Sequence, residues 1–379
     1  MDLTHTSEQT ALADSVARFA ERSYQFNQRR AIVDGPEGFS REHMATFAEL
    51  GWFGAGLGEA QGGFGGSAVE TSVLFEGFGR MLLVEPLLAH AVLAVQALAA
   101  LPASGDRDAL VEQAVMGSAL LTLAHDEIEG WGALDWIGTR AEAAGGGYRL
   151  SGAKSRVLAG ESADRLIVSA RLSGAIDEAD GIGLFLMDAS AEGLARRPYR
   201  LVDGSRVADL TLDGAPATLL AEGEAARTAL ANATRHGIVA ICAEAIGAMD
   251  AALWQTRDFL KTRKQFGTPL GTFQALQHRM ADMLIETELS RSMLLQALAA
   301  LEADEPDDRA LSAAKIAITR SALFVTGQAI QLHGGIGMTE ELMVGHFYKR
   351  ALVIASLLGD ADHHFDRYLA ATTFDPIPA

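Results

Sequence analysis

The sequence predicts an α+β protein in three parts: an N-terminal helical domain over residues 1–117, a middle β-barrel or sandwich domain over 118–222, and a C-terminal four-helix bundle over 223–379. Three observations carry this. Apolar residues recur at helical spacing before about residue 117 and again after about residue 225. Between them LTLAHDE, YRLSGAKSRVLAG, DRLIVSARL, GIGLFLMDA and ADLTLDG are short β-rich runs separated by glycine and Asp/Ala turns, with no helical period. The 379 residues also exceed one ordinary domain.

The first part opens at Thr6-Ser7-Glu8-Gln9, which resembles a capping box, and the spacing predicts helices over Thr6–Arg30, Ser40–Leu50 and Ser67 to about Leu101, the last broken by Pro86. Between the second and third lies EAQGGFGGS, a tight glycine loop that ends on the capping hydroxyl of Ser67. After the β runs, long periodic segments fall near 225–262, 270–303, 306–333 and 341–370. Short turns at Gly267-Thr268-Pro269 and Glu305-Pro306 make the first three antiparallel neighbours.

Composition narrows the function. With 31 basic and 49 acidic residues the formal charge is -18, which repels nucleic acid and anionic lipid surfaces. Cys242 is the sole cysteine, so no intrachain disulfide forms and a cysteine metal site is not expected. The N-terminus lacks a basic start followed by an apolar core, and the apolar runs read as too short or interrupted to span a bilayer. A cytoplasmic protein without nucleic-acid or membrane partners is the expectation.

Two stretches could carry chemistry. Thr262-Arg263-Lys264-Gln265-Phe266-Gly267, followed by Phe273-Gln274, sets a planar cation, an amide and an aromatic ring at a helix end, a set able to grip a diphosphate and cover a flat ring. The plainer reading is a helix C-terminus capped by Gly267, its basic residues complementing the dipole. Gln331-Leu332-His333-Gly334-Gly335-Ile336-Gly337 lacks the Lys-Ser/Thr of a P-loop and follows no strand, so its plainer reading is a helix cap and reversal.

The pair, RKQFG about 70 residues before QLHGGIG, within the order helical domain, β domain, four-helix bundle, resembles the acyl-CoA dehydrogenase family of flavoproteins over nearly the whole chain. Within that family the chain is most similar to the small subunit of pimeloyl-CoA dehydrogenase and its relatives, through YQFNQRRAI, EAQGGFGGSAVE, SGAKSRVLAGESADRLIVSAR, DGIGLFLMDA, CAEAIGAM and TRKQFGTPLGTFQALQHRMADM. The resemblance implies FAD, with its ADP half held partly by a neighbouring subunit. The matching positions are Arg263, Phe266, Gln274, Gln331 and Gly335 beside Gly334, with Gln265 also able to reach the diphosphate. It therefore implies an oligomer.

Other family positions are changed. The subunit holding the flavin ring supplies Thr-Glu-Pro followed by Gly-Ser-Asp, and Trp-Ile-Thr near a Gly-x-Lys turn. Here the first region reads Ala124-His125-Asp126-Glu127 and Ile128-Glu129-Gly130-Trp131, without the Gly-Ser-Asp. The second reads Gly152-Ala153-Lys154-Ser155-Arg156-Val157-Leu158, with Arg156 for the Trp and Leu158 for the Thr.

The implied reaction removes a proton alpha to the thioester while hydride leaves the beta carbon, so a carboxylate base is needed. Most relatives carry a Glu before a Gly on the last helix, where this chain has Leu358; a minority carry it on the first bundle helix, where it has Gly237. Glu244, seven residues beyond Gly237 on the same helix face, and Asp360 are the substitutes. The alternative for Glu244 is neutralisation by a neighbouring helix through Arg263 or Arg279. For Asp360 it is a solvated face shared with Asp362, His363 and His364, with no third ligand to make a metal site. Glu340 and Glu341 are expected to begin the last helix.

Three readings follow. In the first the chain is the small subunit of a heteromeric acyl-CoA dehydrogenase, lending ADP-binding residues to FAD in a larger, base-carrying homologue, as a heterotetramer. The second is a complete homo-oligomer using Glu244 or Asp360. The third is a non-catalytic scaffold. The resemblance implies an electron-transfer flavoprotein as acceptor and an acyl-CoA substrate: pimeloyl or another dicarboxylic, medium-chain, steroid or aryl.

Overall fold

The structure, a computed structural model, describes residues 4–372. Contacts divide the chain into two compact units, one of Met1–Arg29, Ser72–Leu83 and Ile238–Ala379, the other of Arg30–Thr71 and Val84–Gly237. These units cut across the three parts expected from sequence. Part of the N-terminal helical region belongs with the C-terminal helices, and the rest with the strands.

The first unit is all helix apart from a small hairpin. Helix α1 (Ser7–Ser23) has the expected capping box, the Thr6 hydroxyl accepting from Gln9 N–H while the Gln9 side chain accepts from Thr6 N–H. It ends at Tyr24, well before Arg30, and α2 (Phe26–Asp34) follows. Helix α3 (Arg41–Glu49), capped by Ser40, lies in the second unit. Helix α4 (Ala68–Met81) stops at Leu82, whose φ of 55° is left-handed, four residues before Pro86. In the second unit a π-helical stretch at Leu88–Ala94 and α5 (Val95–Ala99) replace the rest of the expected helix, and α6 (Gly105–Val115) follows.

In the second unit β1 (Leu121–Ala124), β2 (Arg140–Ala144), β3 (Gly147–Leu158), β4 (Arg165–Arg171), β5 (Ile182–Asp188), β6 (Leu194–Arg200) and β7 (Arg206–Glu222) form one sheet. Its order is β1-β4-β2-β3-β7-β5, and because β5 also pairs with β4 the sheet closes on itself. Alternation along β4 explains why the strand is buried from Leu166 to Arg171: Leu166, Val168 and Ala170 join Leu150, Phe185 and Leu210 in one core, whereas Ile167 joins Leu57, Leu98 and Val111 in another. The long strand β3 is bulged between Lys154 and Val157.

Helix α7 (Gly223–Thr262) begins in the second unit and passes into the first. It contains an 18-residue window of mean hydropathy 1.6, long and apolar enough to cross a membrane, but 83% of that window is buried within the protein. Its apolarity therefore has a core-forming explanation. Within the first unit α7 crosses α4 at two glycines: a Cβ on Gly79 would lie 1.9 Å from the Glu244 carbonyl, and one on Gly247 would lie 1.9 Å from that of Glu76. Only hydrogen at both positions allows this backbone approach.

Strands β8 (Lys264–Gln265) and β9 (Thr268–Pro269) form the hairpin, and α8 (Gln274–Leu301) and α9 (Asp308–His333) follow. The segment expected as one helix over 341–370 is two, α10 (Met343–Ser356) and α11 (Ala361–Ala370), so among the described residues the C-terminal region has five helices where four were expected. Glu340 and Glu341 precede α10 in a turn; Glu340 pairs with Lys349.

Candidate functional site

In the first unit, Arg263 follows the last residue of α7 and the chain then reverses through β8 and β9. Phe266 and Gly267, with φ of 54° and 81°, are the two central residues of that hairpin. Gly267 is therefore a hairpin residue, not the cap of α7. The turn pushes the Phe266 ring into solvent, 91% exposed and edge-on to Phe273. Arg263, Gln265 and Gln274 are exposed as well.

The glycine loop begins where α9 ends. Gly334, at φ 66° and ψ -144°, takes a conformation only glycine adopts readily, and its N–H caps the helix by donating to Ile330 and Gln331. Gly337 is buried, and a Cβ there would meet the Ile330 carbonyl at 2.8 Å; Gly334 and Gly335 face open space. Gln331 is exposed. The His333 ring stacks on Phe259 at 4.3 Å, which seats the end of α9 against the last turns of α7. The two glycine-containing stretches are thereby carried on adjoining helix ends.

These exposed donors fit the ADP end of a dinucleotide: a guanidinium and three amides suit phosphate, ribose and adenine edges, while the bare glycine backbone allows close approach. FAD, when bound, supplies the hydride acceptor. Arg263, Gln265, Phe266, Gln274, Gln331, Gly334 and Gly335 are the exposed residues that these two stretches present.

The carboxylates are differently placed. Glu244, 3% exposed, receives hydrogen bonds of 2.6 and 2.8 Å from the guanidinium of Arg350. The neighbouring-helix arginine is thus Arg350, not Arg263 or Arg279; Arg279 instead donates to Gln328. Asp360 is the N-cap of α11 and accepts from His363 N–H. Its carboxylate terminates a helix rather than decorating a solvated face.

Leu358 sits between α10 and α11 at φ 56°, followed by Gly359 at 91°. Buried polar groups hold this turn. Lys315 donates to the Ile354 carbonyl at 2.8 Å, and His364, fully buried, donates from Nε2 to the Leu358 carbonyl while its Nδ1 accepts from Ser312. Burial first, then the Lys315 charge, push His364 down to about 3, so it is neutral. His364 is therefore a core residue, contrary to the solvated face expected of it.

The second unit contains features the sequence reading missed. Lys154, 1% exposed, donates to Glu127, to Ser169 and to the His125 carbonyl. Burial alone would raise Glu127, but the Lys154 charge and hydrogen bonds from Lys154 and Thr139 hold it below the ordinary carboxylate range. Glu127 also accepts from Gly138 and Thr139 N–H, so this pair ties the loop after β1 to the sheet. Arg171, fully buried, donates to five carbonyls, those of Asp135, Ile137, Ile176, Glu178 and Asp180. A Gly-x-Lys turn inside a strand was the available signal for Lys154; nothing local marked Arg171.

A cavity of about 590 Å³ opens on this unit, lined by Ile128, Trp131, Ser155, Arg156, Arg197, Pro198, Tyr199 and Asp209. It brings together the loop after β1 and the bulge in β3, the two stretches that differ from the family pattern. Among the described residues no group of three His, Cys, Asp or Glu is arranged to hold a metal.

Comparison with known proteins agrees with this geometry. The family profile described as acyl-CoA dehydrogenase, N-terminal domain, matches residues 6–118, and that described as acyl-CoA dehydrogenase, C-terminal domain, matches residues 225–370. The acyl-CoA dehydrogenase FadE27 of Mycobacterium tuberculosis is 27% identical over 95% of this chain and 96% of its own length. A solved structure of a variant of the Tcur3481-Tcur3483 steroid ACAD is 32% identical, with TM-score 0.85 over 96% of this chain and 97% of that one. The ChsE4-ChsE5 complex from Mycobacterium tuberculosis is 26% identical, with TM-score 0.86 over 99% of this chain and 100% of the matched one. A chain whose helical regions match both family profiles, and whose whole fold superposes on solved members, belongs to the acyl-CoA dehydrogenase family, oxidoreductases that use FAD to act on acyl-CoA.

Proposed function

We propose that this chain is the small subunit of a heteromeric acyl-CoA dehydrogenase. It lends the Arg263 turn and the Gly334 loop to FAD, while a larger homologue supplies the base, in a heterotetramer. The observation that carries the reading is the Leu358 turn: the buried supports of a strained apex are present, and the apex side chain cannot accept a proton. Glu244 is occupied by Arg350 and Asp360 by a helix N-terminus, which weakens the complete homo-oligomer. Support for a two-chain enzyme comes also from the resemblance to a pimeloyl-CoA dehydrogenase small subunit, and from the two similar solved proteins named as pairs, Tcur3481-Tcur3483 and ChsE4-ChsE5.

The substrate in this reading is an acyl-CoA. The 32%-identical Tcur3481-Tcur3483 protein is a steroid ACAD, which favours a steroid-bearing acyl group over the pimeloyl, other dicarboxylic, medium-chain or aryl alternatives. Electrons pass on to an electron-transfer flavoprotein, and the assembly works in the cytoplasm. The test is an absorption spectrum of the chain purified alone and after co-expression with a larger acyl-CoA dehydrogenase homologue. Colourless alone and yellow with turnover when paired is the expected result; a yellow, active chain alone would overturn it.

A further inference from the structure

The bulge in β3 places Arg156 at φ 52° and the loop after β1 places Trp131 at φ 41°. Two non-glycine residues in the left-handed region face one another, the guanidinium of Arg156 lying over the Trp131 ring at 4.9 Å. Strain of this kind persists only where the surroundings over-determine it. Here they do. Asp209 accepts from Arg156 N–H at 3.0 Å, Ser155 N–H donates to the Asp126 carbonyl at 2.8 Å, and the Glu127–Lys154 pair anchors the base of the loop.

Several polar groups lining the cavity beside this stack are engaged with one another. Asp209 also accepts from the Tyr199 hydroxyl and from one N–H of the Arg197 guanidinium, which gathers both groups on one carboxylate. At position 158 the side chain is apolar, and the Leu158 carbonyl is held by the Thr122 hydroxyl. A flavin ring presents a row of nitrogen and carbonyl acceptors that need N–H or O–H partners when taken out of water. The residues that hold the ADP end fit FAD; those in this unit do not fit its ring.

We propose that the Trp131–Arg156 stack excludes the isoalloxazine ring from this chain's own β unit, and so decides that only the partner's β unit carries a flavin. This rests on the subunit reading above and names the residues that set the cofactor count at one FAD per pair of chains. The stack fills with an indole and a guanidinium the place between loop and bulge. Asp209 holds Arg156 there through its backbone rather than through its charge.

The test uses riboflavin, which has the ring without the ADP end and is blind to Arg263 and the glycine loop. Quenching of its fluorescence is titrated with the full chain and with Trp131→Gly/Arg156→Gly. Glycine suits both left-handed positions, so the backbone is not newly strained; an unchanged melting temperature and circular dichroism spectrum confirm folding. The expected result is no saturable quenching by the wild-type chain and an affinity at least about tenfold higher in the folded variant, a difference of about 1.4 kcal/mol. Equal affinity in both, or none in the folded variant, would overturn the exclusion. Either failure leaves the subunit reading standing, because that reading is tested by whether FAD in the paired complex depends on Arg263.

Discussion

Arg350 meets Glu244 in a two-pronged ion pair, Nε to Oε1 at 2.6 Å and Nη2 to Oε2 at 2.8 Å, with the carboxylate 3% exposed. Both oxygens of this carboxylate are committed to the guanidinium, and the group is too buried to be presented to a substrate proton. Removing one partner leaves the other charge buried and unpaired, so Arg350→Ala is expected to lower stability by about 3–5 kcal/mol in urea unfolding. Glu244→Gln should leave kcat of the paired complex unchanged. A base contributes about 10²- to 10⁴-fold, and a loss of that size in Glu244→Gln would restore the homo-oligomer reading.

The turn at Leu358 predicts a graded response. A left-handed non-glycine residue costs about 1–2 kcal/mol, so Leu358→Gly or Leu358→Asn should be tolerated, with lost side-chain burial offsetting the relieved backbone. Leu358→Ile, β-branched at φ 56°, should destabilise by more than about 1 kcal/mol. Thermal melts of the three variants check the order.

Lys315 gives a pH signature. Burial pushes its ammonium down to about 8, while the unfolded chain keeps it at the ordinary value near 10.5. Between those values the unfolded state binds more protons, so this group's contribution to stability is present above pH 10.5 and is lost as pH falls through about 8. Relative to Lys315→Met, the wild-type chain should therefore gain stability between pH 7 and 10, by at most about 3 kcal/mol. A flat difference across that window would contradict the placement.

Arg171 joins two loops through five carbonyls. Arg171→Lys cannot reproduce a planar fork, so both Lys and Ala variants should speed amide exchange and proteolysis within residues 173–181. Protection unchanged in Arg171→Ala would mean that the loops hold each other without it.

Much of the fold was legible because its signals are local. The capping box at Thr6, the strands from Leu121 to Glu222 and the helices α7, α8 and α9 follow from period and cap residues. What stayed hidden depends on distant partners. Arg350 lies 106 positions from Glu244, and the break at Leu358 is imposed by Lys315 and His364 from two other helices. The hairpin at Phe266-Gly267 lacks the Asn or Asp that usually announces such a turn. The Arg263 turn and the Gly334 loop were legible as a motif pair, whereas the Trp131–Arg156 stack joins two stretches that each read only as a departure from the family pattern.

The central claim is that this chain lends its residues to a flavin seated elsewhere. The most direct measurement is FAD per pair of chains in the co-purified complex, for wild-type and Arg263→Ala. About one FAD per pair, with occupancy falling by at least about tenfold in Arg263→Ala, is the predicted result. Two FAD per pair, or full occupancy and turnover in Arg263→Ala, would contradict it.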